Sequence, residues 1–569
     1  MAANPHRRGT EPVDGSALVS PLDRRRFLGV MVGTVGAAAV GGTVLSACGG
    51  ASSTAAASTG APPVAADAFT KVAPNEVSFV PISADQVARA TSGLTKVAGD
   101  MLASTGVPGM AVAVVHRGKV VYAEGFGIRR VGQAAKVDAD TVFQIASLSK
   151  AVASTVVAGV VGQKVVAWDD PIVRYLPTFS LGDPYVTANV SIADMFSHRS
   201  GLPDHAGDLL EDLGFDQPQI LARLMLYPMD PFRAAYAYTN FGLTAAAEAA
   251  ATAKGATWAD LSRQVLYGPL GMTSTSSTYA DYVAAPNRAD LHVRVDGRWE
   301  ARFQRDPDAQ SPAGGASSSV SDMARWMQLQ LAGGTFNGTQ VIDGDALLQT
   351  HVPHYASSPA TTLGAKSGSY GLGFNVGVDG AGRLRLSHSG AFGLGAATAF
   401  DLLPSEELGI VTLTNGMPIG LPESLNATFM DMVEVGNSTR DWLKAYLPRF
   451  APLTENPSEL AGRSAPSSPA PARPDAAYVG TYLNALYGPA IVGSGADGLT
   501  LSLGPVPQVF PLTHWDGDTF SYLPTGENAA GITAVTFAGG SGGSPATVNI
   551  ENLNGVPVIT PTLGTFQRA

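Results

Sequence analysis

The chain has 569 residues, 45% of them hydrophobic and 15% charged, with a formal net charge of −11. That length accommodates more than one domain, and the apolar content supports a large core and excludes global disorder. The acidic balance argues against a nucleic-acid partner, which would need a basic patch, and the single cysteine, Cys48, excludes an intrachain disulfide or a multi-cysteine zinc site.

In chain order, the first feature is "PLDRRRFLGVMVGTVGAAAVGGTVLSAC". Arg24, Arg25 and Arg26 form a positive region ahead of an uncharged Gly-, Ala- and Val-rich run, the layout of an export signal. The arginines followed by "FLG" resemble a twin-arginine signal, with Asp23 where Ser or Thr is usual. "LSAC" resembles the lipobox of bacterial lipoproteins, which implies that Cys48 becomes the lipidated first residue. An uncleaved membrane helix is the alternative, since about 20 apolar residues span a bilayer; the sole cysteine at the lipobox position favours the lipoprotein. Both readings put the remainder at the outer face of the bacterial cytoplasmic membrane, so a membrane is an expected partner through the lipid anchor. Residues 1–48 are therefore read as a twin-arginine-type lipoprotein signal. Residues 49–75, small, polar and Pro-containing, are read as a flexible tether.

Residues 76–454 form one long region. "MAVAVVHRGKVVYAEGFGI" predicts a β-hairpin turning near Gly118. The middle is helix-like and loop-rich, and "RLRLSHSGAFGLGAATAFDLLPSEELGIVTLTNG" returns to strands. Strands at both ends predict an α/β fold of the α+β type: one antiparallel sheet flanked by helices, with a helical subdomain. Residues 455–475, rich in Pro, Ser and Ala, read as a linker. In 476–569, short alternating runs between turn residues predict a small all-β barrel or sandwich.

Three segments could carry chemistry. In "FQIASLSKAV", Ser147 and Lys150 lie three apart, which on a helix puts them on one face. An ammonium among apolar neighbours is costly unless it has a partner or a task. A helix beginning at or just before Ser147 would make its N–H an oxyanion donor, and a desolvated Lys150 could serve as a base. "AYAYTNFGLTAAAEAA" offers Tyr238 and Asn240 ahead of an Ala-rich helical run, and "LSHSGAFG" offers His388, Ser389 and Gly390. Gly390 would allow close backbone approach to a ligand. Taken singly, each has a bland reading: a solvent-facing lysine, a buried tyrosine, a core histidine.

Together, Ser-x-x-Lys, Tyr-x-Asn and His-x-Gly in this order resemble the serine β-lactamase and penicillin-binding superfamily, in the form of class C β-lactamases, DD-carboxypeptidases and related esterases. "VPGMAVAVV", "MFSHRSGLP" and "SPAGGASSSVSDMARW" are similar to family segments, and the tail is similar to a β-rich accessory domain of such hydrolases. The resemblance implies a β-lactamase/transpeptidase-like fold and acyl-serine transfer on a D-Ala-D-Ala-type peptide, a β-lactam or a carboxylic ester. It implies Ser147 as nucleophile, with Lys150 and Tyr238 sharing proton transfer. Asn240 would contact the substrate amide or orient Lys150. His388 would lie on an edge strand, and the N–H groups of Ser147 and Ala391 would form the oxyanion hole beside Gly390. No cofactor and no metal are implied, and the expected partner is a small-molecule or peptide substrate, with cell-wall peptide among the options; the oligomeric state stays open. His388 stands where many relatives carry Lys, so weak β-lactam turnover is expected; Lys150 and His388 are the cations available to hold Tyr238 as phenolate.

Other readings are weaker. "GGSGG" at 539–543 matches G-x-S-x-G but lies between strand-like runs, not at a strand-to-helix turn. His351 and His354 do not form H-E-x-x-H, and Pro353 discourages a helix between them; His198 reads as a turn residue behind the site. A non-catalytic or slowly deacylating penicillin- or peptidoglycan-binding surface protein is the alternative function. Selectivity is assigned to loops 200–235 and 275–315.

Overall fold

The computed structural model describes residues 80–569 except 454, 530, 541, 542, 556 and 557; the arginine cluster, Cys48 and the tether lie outside the described residues. Helix α1 (Ala84–Thr105) starts at a Ser83/Gln86 capping box and stops at Gly106, whose φ of 67° a glycine adopts without penalty. Strands β1 (Gly109–His116) and β2 (Lys119–Gly127) form the predicted hairpin. Its turn residues Arg117 and Gly118 both have positive φ, which suits a tight turn to the strand twist.

A long helical stretch follows. It includes α2 (Ser149–Gly162), α3 (Asp208–Asp212), α4 (Asn240–Lys254), α5 (Ser311–Gly314) and α6 (Val320–Leu331). The chain then returns to strands β3 (Tyr355–Ser358), β4 (Gly368–Tyr370), β5 (Asn375–Val378), β6 (Leu384–Phe392), β7 (Ala396–Leu403) and β8 (Leu408–Thr414), and to helix α7 (Leu421–Val435). The sheet order is β2-β1-β8-β7-β6-β5-β4-β3, with antiparallel pairing throughout. The pairing Ala113↔Val411 joins the first hairpin to the last strand. Both faces of the central strands are covered. Met110, Val112 and Val114 pack with Leu94 of α1 and Phe429 of α7, while Ala111, Ala113 and Val115 face the larger core with Trp326 of α6. That is why β1 is buried along its whole length and shows no polar alternation.

One expectation needs correction. His388 is not on an edge strand, because β6 runs between β5 and β7. The β5 ladder nevertheless ends at Asn375↔Ser387. The turn from β4 into β5 reverses the chain there, so β6 has no strand beside it on that side from His388 onward.

The C-terminal domain is one nine-stranded antiparallel sheet: β9 (Gly480–Asn484), β10 (Gly488–Gly495), β11 (Gly498–Leu503), β12 (Gln508–Pro511), β13 (Thr513–Asp516), β14 (Thr519–Tyr522), β15 (Thr533–Ala538), β16 (Thr547–Ile550) and β17 (Thr565–Arg568). Its order is β12-β11-β10-β9-β17-β16-β15-β14-β13. The two ends of that order, β12 and β13, are consecutive in the chain and separated by Leu512 alone, so the sheet must curl into a near-barrel. Curling hides edges that would otherwise invite pairing with another chain. The Pro-rich segment before it is fastened to this domain, with Ser458 donating to Glu551 at 2.6 Å and Arg473 paired with Asp518 at 3.0 Å.

Phe429 is fully buried between α7 and the sheet, far along the chain from the candidate catalytic residues. Phe429→Ala is expected to cost about 3–5 kcal/mol and to lower the urea midpoint of the catalytic domain while the remaining folded fraction keeps its activity.

Candidate active site

The segment that presents Ser147 is strained and tightly held. Ala146 has φ of 47°, a left-handed conformation that a non-glycine residue adopts only when its surroundings force it. Burial against Leu291, Phe392 and Ala396 supplies that force. Ser147 sits in a 3₁₀ turn, Ala146–Leu148, and the α-helix proper begins at Ser149, two residues later than the expected start. Among the described residues, the Ser147 N–H has no acceptor. A Cβ at Gly390 would stand 2.5 Å from Ile145 O and 3.0 Å from Ser147 N. Glycine there lets β6 lie against the backbone of Ser147, and Ala391 follows directly.

Lys150 is completely buried in a helix whose other residues carry no charge. Its Nζ lies 2.7 Å from Asn240 Oδ1, 3.0 Å from Ala313 O and 3.0 Å from Ser147 Oγ. The Asn240 amide has its orientation set from behind: Nδ2 donates to Asp208 Oδ2 at 2.9 Å, and a carboxylate only accepts. Oδ1 must therefore face Lys150. In the neutral amine, two N–H bonds go to Asn240 Oδ1 and Ala313 O, and the lone pair is left for Ser147. Burial pulls the Lys150 pKa down to about 7, against an opposing pull from Asp208, so that neutral form is well populated near neutrality.

Tyr238 donates its hydroxyl to Ser147 Oγ at 2.8 Å, and its ring lies 4.5 Å from Lys150 Nζ. Burial pushes the phenol far above its ordinary value. It is therefore a protonated donor in this state, suited to passing a proton toward a leaving group, and Lys150 is the group suited to take the proton of Ser147.

His388 is fully buried on the same wall. Its Nδ1 lies 2.7 Å from the carbonyl of Ser389 and its Nε2 lies 2.8 Å from Tyr370 OH. A carbonyl accepts only, so Nδ1 carries the proton and Nε2 accepts from Tyr370. Burial, reinforced by Lys150, lowers the His388 pKa to about 3. The expectation that His388 is a cation beside Tyr238 is thus corrected: low-dielectric surroundings and a committed tautomer keep it neutral. His198, with φ of 57°, lies against Tyr238 with ring centroids 4.5 Å apart and the planes tilted by 43°, and its Nδ1 takes the Thr239 N–H. His351 and His354 go to separate structural contacts with Gln330 and the Gln349 carbonyl. Among the described residues, no group of three or more His, Cys, Asp or Glu side chains is disposed to hold a metal.

Sequence reasoning missed Asp208, His205 and Ala313. Asp208 Oδ2 is shared between Asn240 and His205 Nδ1, the latter at 2.7 Å. Burial works against the His205 imidazolium, but Asp204 and Asp208 together raise its pKa to about 9. Two aspartates flanking a histidine in "GLPDHAGDLL" are a signal in an otherwise apolar loop. The Ala313 contribution is a backbone carbonyl and leaves no trace in residue identity.

Residues 87–431 match the family model described as Beta-lactamase, and residues 464–560 match a domain of unknown function, DUF3471. The chain is 26% identical over 491 residues to the unguisins hydrolase ungD of Aspergillus violaceofuscus, covering 78% of this chain and 85% of that protein. It is 24% identical over 335 residues to the D-alanyl-D-alanine-carboxypeptidase/endopeptidase AmpH of Escherichia coli K12, covering 58% and 85%. Penicillin-binding protein 4 of Amycolatopsis lactamdurans is 27% identical over 328 residues, covering 54% and 81%. Among solved structures, the octameric penicillin-binding protein homologue from Pyrococcus abyssi superposes with a TM-score of 0.54 at 17% identity, over 81% of this chain and 97% of that one; this similarity bears on the fold.

Two outcomes are expected. Turnover should rise with pH through about 7 as Lys150 loses its proton. Asp208→Asn removes a charge that raises the Lys150 pKa, so the midpoint of this limb should move to lower pH; a pH profile of kcat/KM that is unmoved would refute the arrangement. Gly390→Ala should lower acylation by at least about a hundredfold, because the new Cβ would clash with Thr398 Oγ1 and Ile145 O and shift the Ser147 N–H, the expected oxyanion donor.

Proposed function

The chain belongs to the beta-lactamase family, and from that premise we propose that it cleaves a peptide-type amide or a carboxylic ester through an acyl-Ser147 intermediate, turning over β-lactams slowly. The family establishes a serine hydrolase acting by acyl transfer on amides or esters. The observation that carries the narrower substrate reading is the neutral, buried His388, engaged with Tyr370 and Ser389, in the position of a cation that would hold a substrate carboxylate. A free substrate carboxylate is then held less firmly, and recognition falls more on the acyl chain and the backbone. A carboxypeptidase/endopeptidase and a hydrolase named for unguisins among the relatives are compatible with peptide substrates.

The chemistry follows from the contacts. Lys150 takes the Ser147 proton as Oγ attacks the carbonyl carbon. The resulting oxyanion meets the free Ser147 N–H, with Ala391 N–H as its partner. Tyr238 passes a proton to the leaving amine or alcohol, and the acyl-Ser147 ester is released when water attacks with the same groups reversing their roles. Assembly of nucleophile, base and donor within 3.0 Å of Ser147 Oγ favours turnover over a receptor role.

This reading also includes export and anchoring at the outer face of the cytoplasmic membrane through a lipid on Cys48. Its support is the run of arginines, the apolar stretch and the position of the sole cysteine in "LSAC". Cys48→Ser should release the protein from the membrane fraction.

The test of the activity is intact mass and turnover of the full chain with a nitrophenyl ester, a D-Ala-D-Ala peptide and a penicillin, with Ser147→Ala as control. Ester or peptide turnover lost by at least about a thousandfold in the control, with a slow penicillin adduct, is the expected result. No acyl adduct from any of the three would sink the proposal, and rapid β-lactam turnover would overturn the substrate preference.

A further inference from the structure

The C-terminal domain reaches the catalytic domain at a buried cluster of charge next to the segments that carry Gln144 and Phe392. Asp212, at the end of α3, accepts the main-chain N–H groups of Glu527 and Asn528 at 2.8 and 2.9 Å, and the Asn528 amide at 2.9 Å. Gly526 makes this possible: its φ is 115°, and a Cβ there would stand 2.4 Å from Asp212 Cγ. In return Glu527 Oε1 accepts the N–H of Gly393, the residue after β6. Each domain thus caps the other's backbone with a carboxyl group.

Among the described residues, Arg305 is the one cation of this cluster, and it lies almost fully buried within it. It pairs with Glu211 at 2.6 Å, faces Glu527 Oε2 at 3.7 Å, and lies over the Phe392 ring at 5.1 Å. Its carbonyl accepts from Gln144 Nε2 at 2.8 Å, three residues before the nucleophile. Glu211 also receives Gln310, which precedes the α5 turn containing Ala313. From Glu527, two short chains of contact lead to the site: one through Gly393 to the end of β6, the other through Arg305 to Phe392, Gln144 and the strained Ala146.

We propose that the C-terminal domain supplies Glu527 as a positioning residue for acyl transfer, its carboxyl clamping the end of β6 against the Arg305 loop so that Gly390 and Ala391 stay registered on the Ser147 turn. The catalytic consequence rests on the acyl-Ser147 reading above; the clamp itself does not. This gives the domain a task other than spacing the enzyme from a membrane.

The clamp has a direction in pH. The charged groups that face one another are Glu211, Asp212, Arg305 and Glu527, with Gln310, Asn528 and Phe392 as uncharged neighbours. Three carboxyl groups share one guanidinium. Burial, only partly offset by Arg305, raises Glu211 to about 7 and Glu527 to about 8, and Asp212 also moves up. Carboxyl groups raised on docking hold protons more tightly when docked, so the clamp is firmest in acid and weakens as pH rises through about 8.

The test compares wild type, Glu527→Ala and Glu527→Gln in the full chain. Amide hydrogen exchange over 388–394, without substrate, reads the clamp; acyl-adduct formation against pH reads its effect. Glu527→Ala should speed exchange at Gly393 and slow acylation about tenfold, mainly in kcat. Glu527→Gln keeps an acceptor for Gly393 and should restore both at neutral pH, while reducing the alkaline slowing seen in wild type, of which Glu211 and Asp212 keep a part. Unchanged exchange in Glu527→Ala overturns the clamp. Faster exchange with unchanged acylation overturns the positioning role, as does an alkaline limb that is undiminished in Glu527→Gln. A wild type that forms no adduct overturns the functional reading and this catalytic consequence with it, while the exchange data still decide the clamp.

Discussion

The burial of one amine organises this molecule. Lys150 lies inside a helix that is otherwise apolar, and an ammonium there is destabilised unless its surroundings compensate. The fold compensates from three directions: an amide from the start of α4, a carbonyl from α5 and the nucleophile one turn earlier. Asp208 fixes the amide, and His205 helps to hold Asp208. The same burial that makes Lys150 expensive lowers its pKa toward neutrality, so the structural cost and the chemical usefulness have one origin.

The sheet contributes through where its ladders stop. β5 ends opposite Ser387, which leaves the remainder of β6 without a neighbour on that side, and Gly390 then brings this strand against the backbone of Ile145 and Ser147. The left-handed Ala146 is stabilised by Phe392 from the same strand. Strain at the nucleophile is thus held by packing contributed by residues more than two hundred positions away. His388, on that strand, shows how environment overrides residue type: its two nitrogens are committed and the ring stays uncharged.

The near-barrel domain meets the catalytic domain through two carboxyl groups: Asp212 accepts the Glu527 N–H, and the Glu527 side chain accepts the N–H of Gly393. Glu211, Asp212 and Arg305 come from the two loops where sequence reasoning placed selectivity, 200–235 and 275–315. The contact lies at the rim of the site, next to the segments that carry Gln144 and Phe392.

The sequence by itself determined the three short motifs whose side chains the fold brings together, the hairpin, and the division into a mixed domain and a β domain. These depend on local spacing and on residue types with few alternative uses. Only the tertiary structure decided the protonation of His388, the orientation of Asn240, the part played by Asp208 and Ala313, and the place of β6 inside the sheet rather than at its edge. The reason is physical. A pKa follows from desolvation and from neighbours brought in from other elements, a backbone carbonyl is the same in every residue, and strand order depends on pairings between segments about three hundred residues apart.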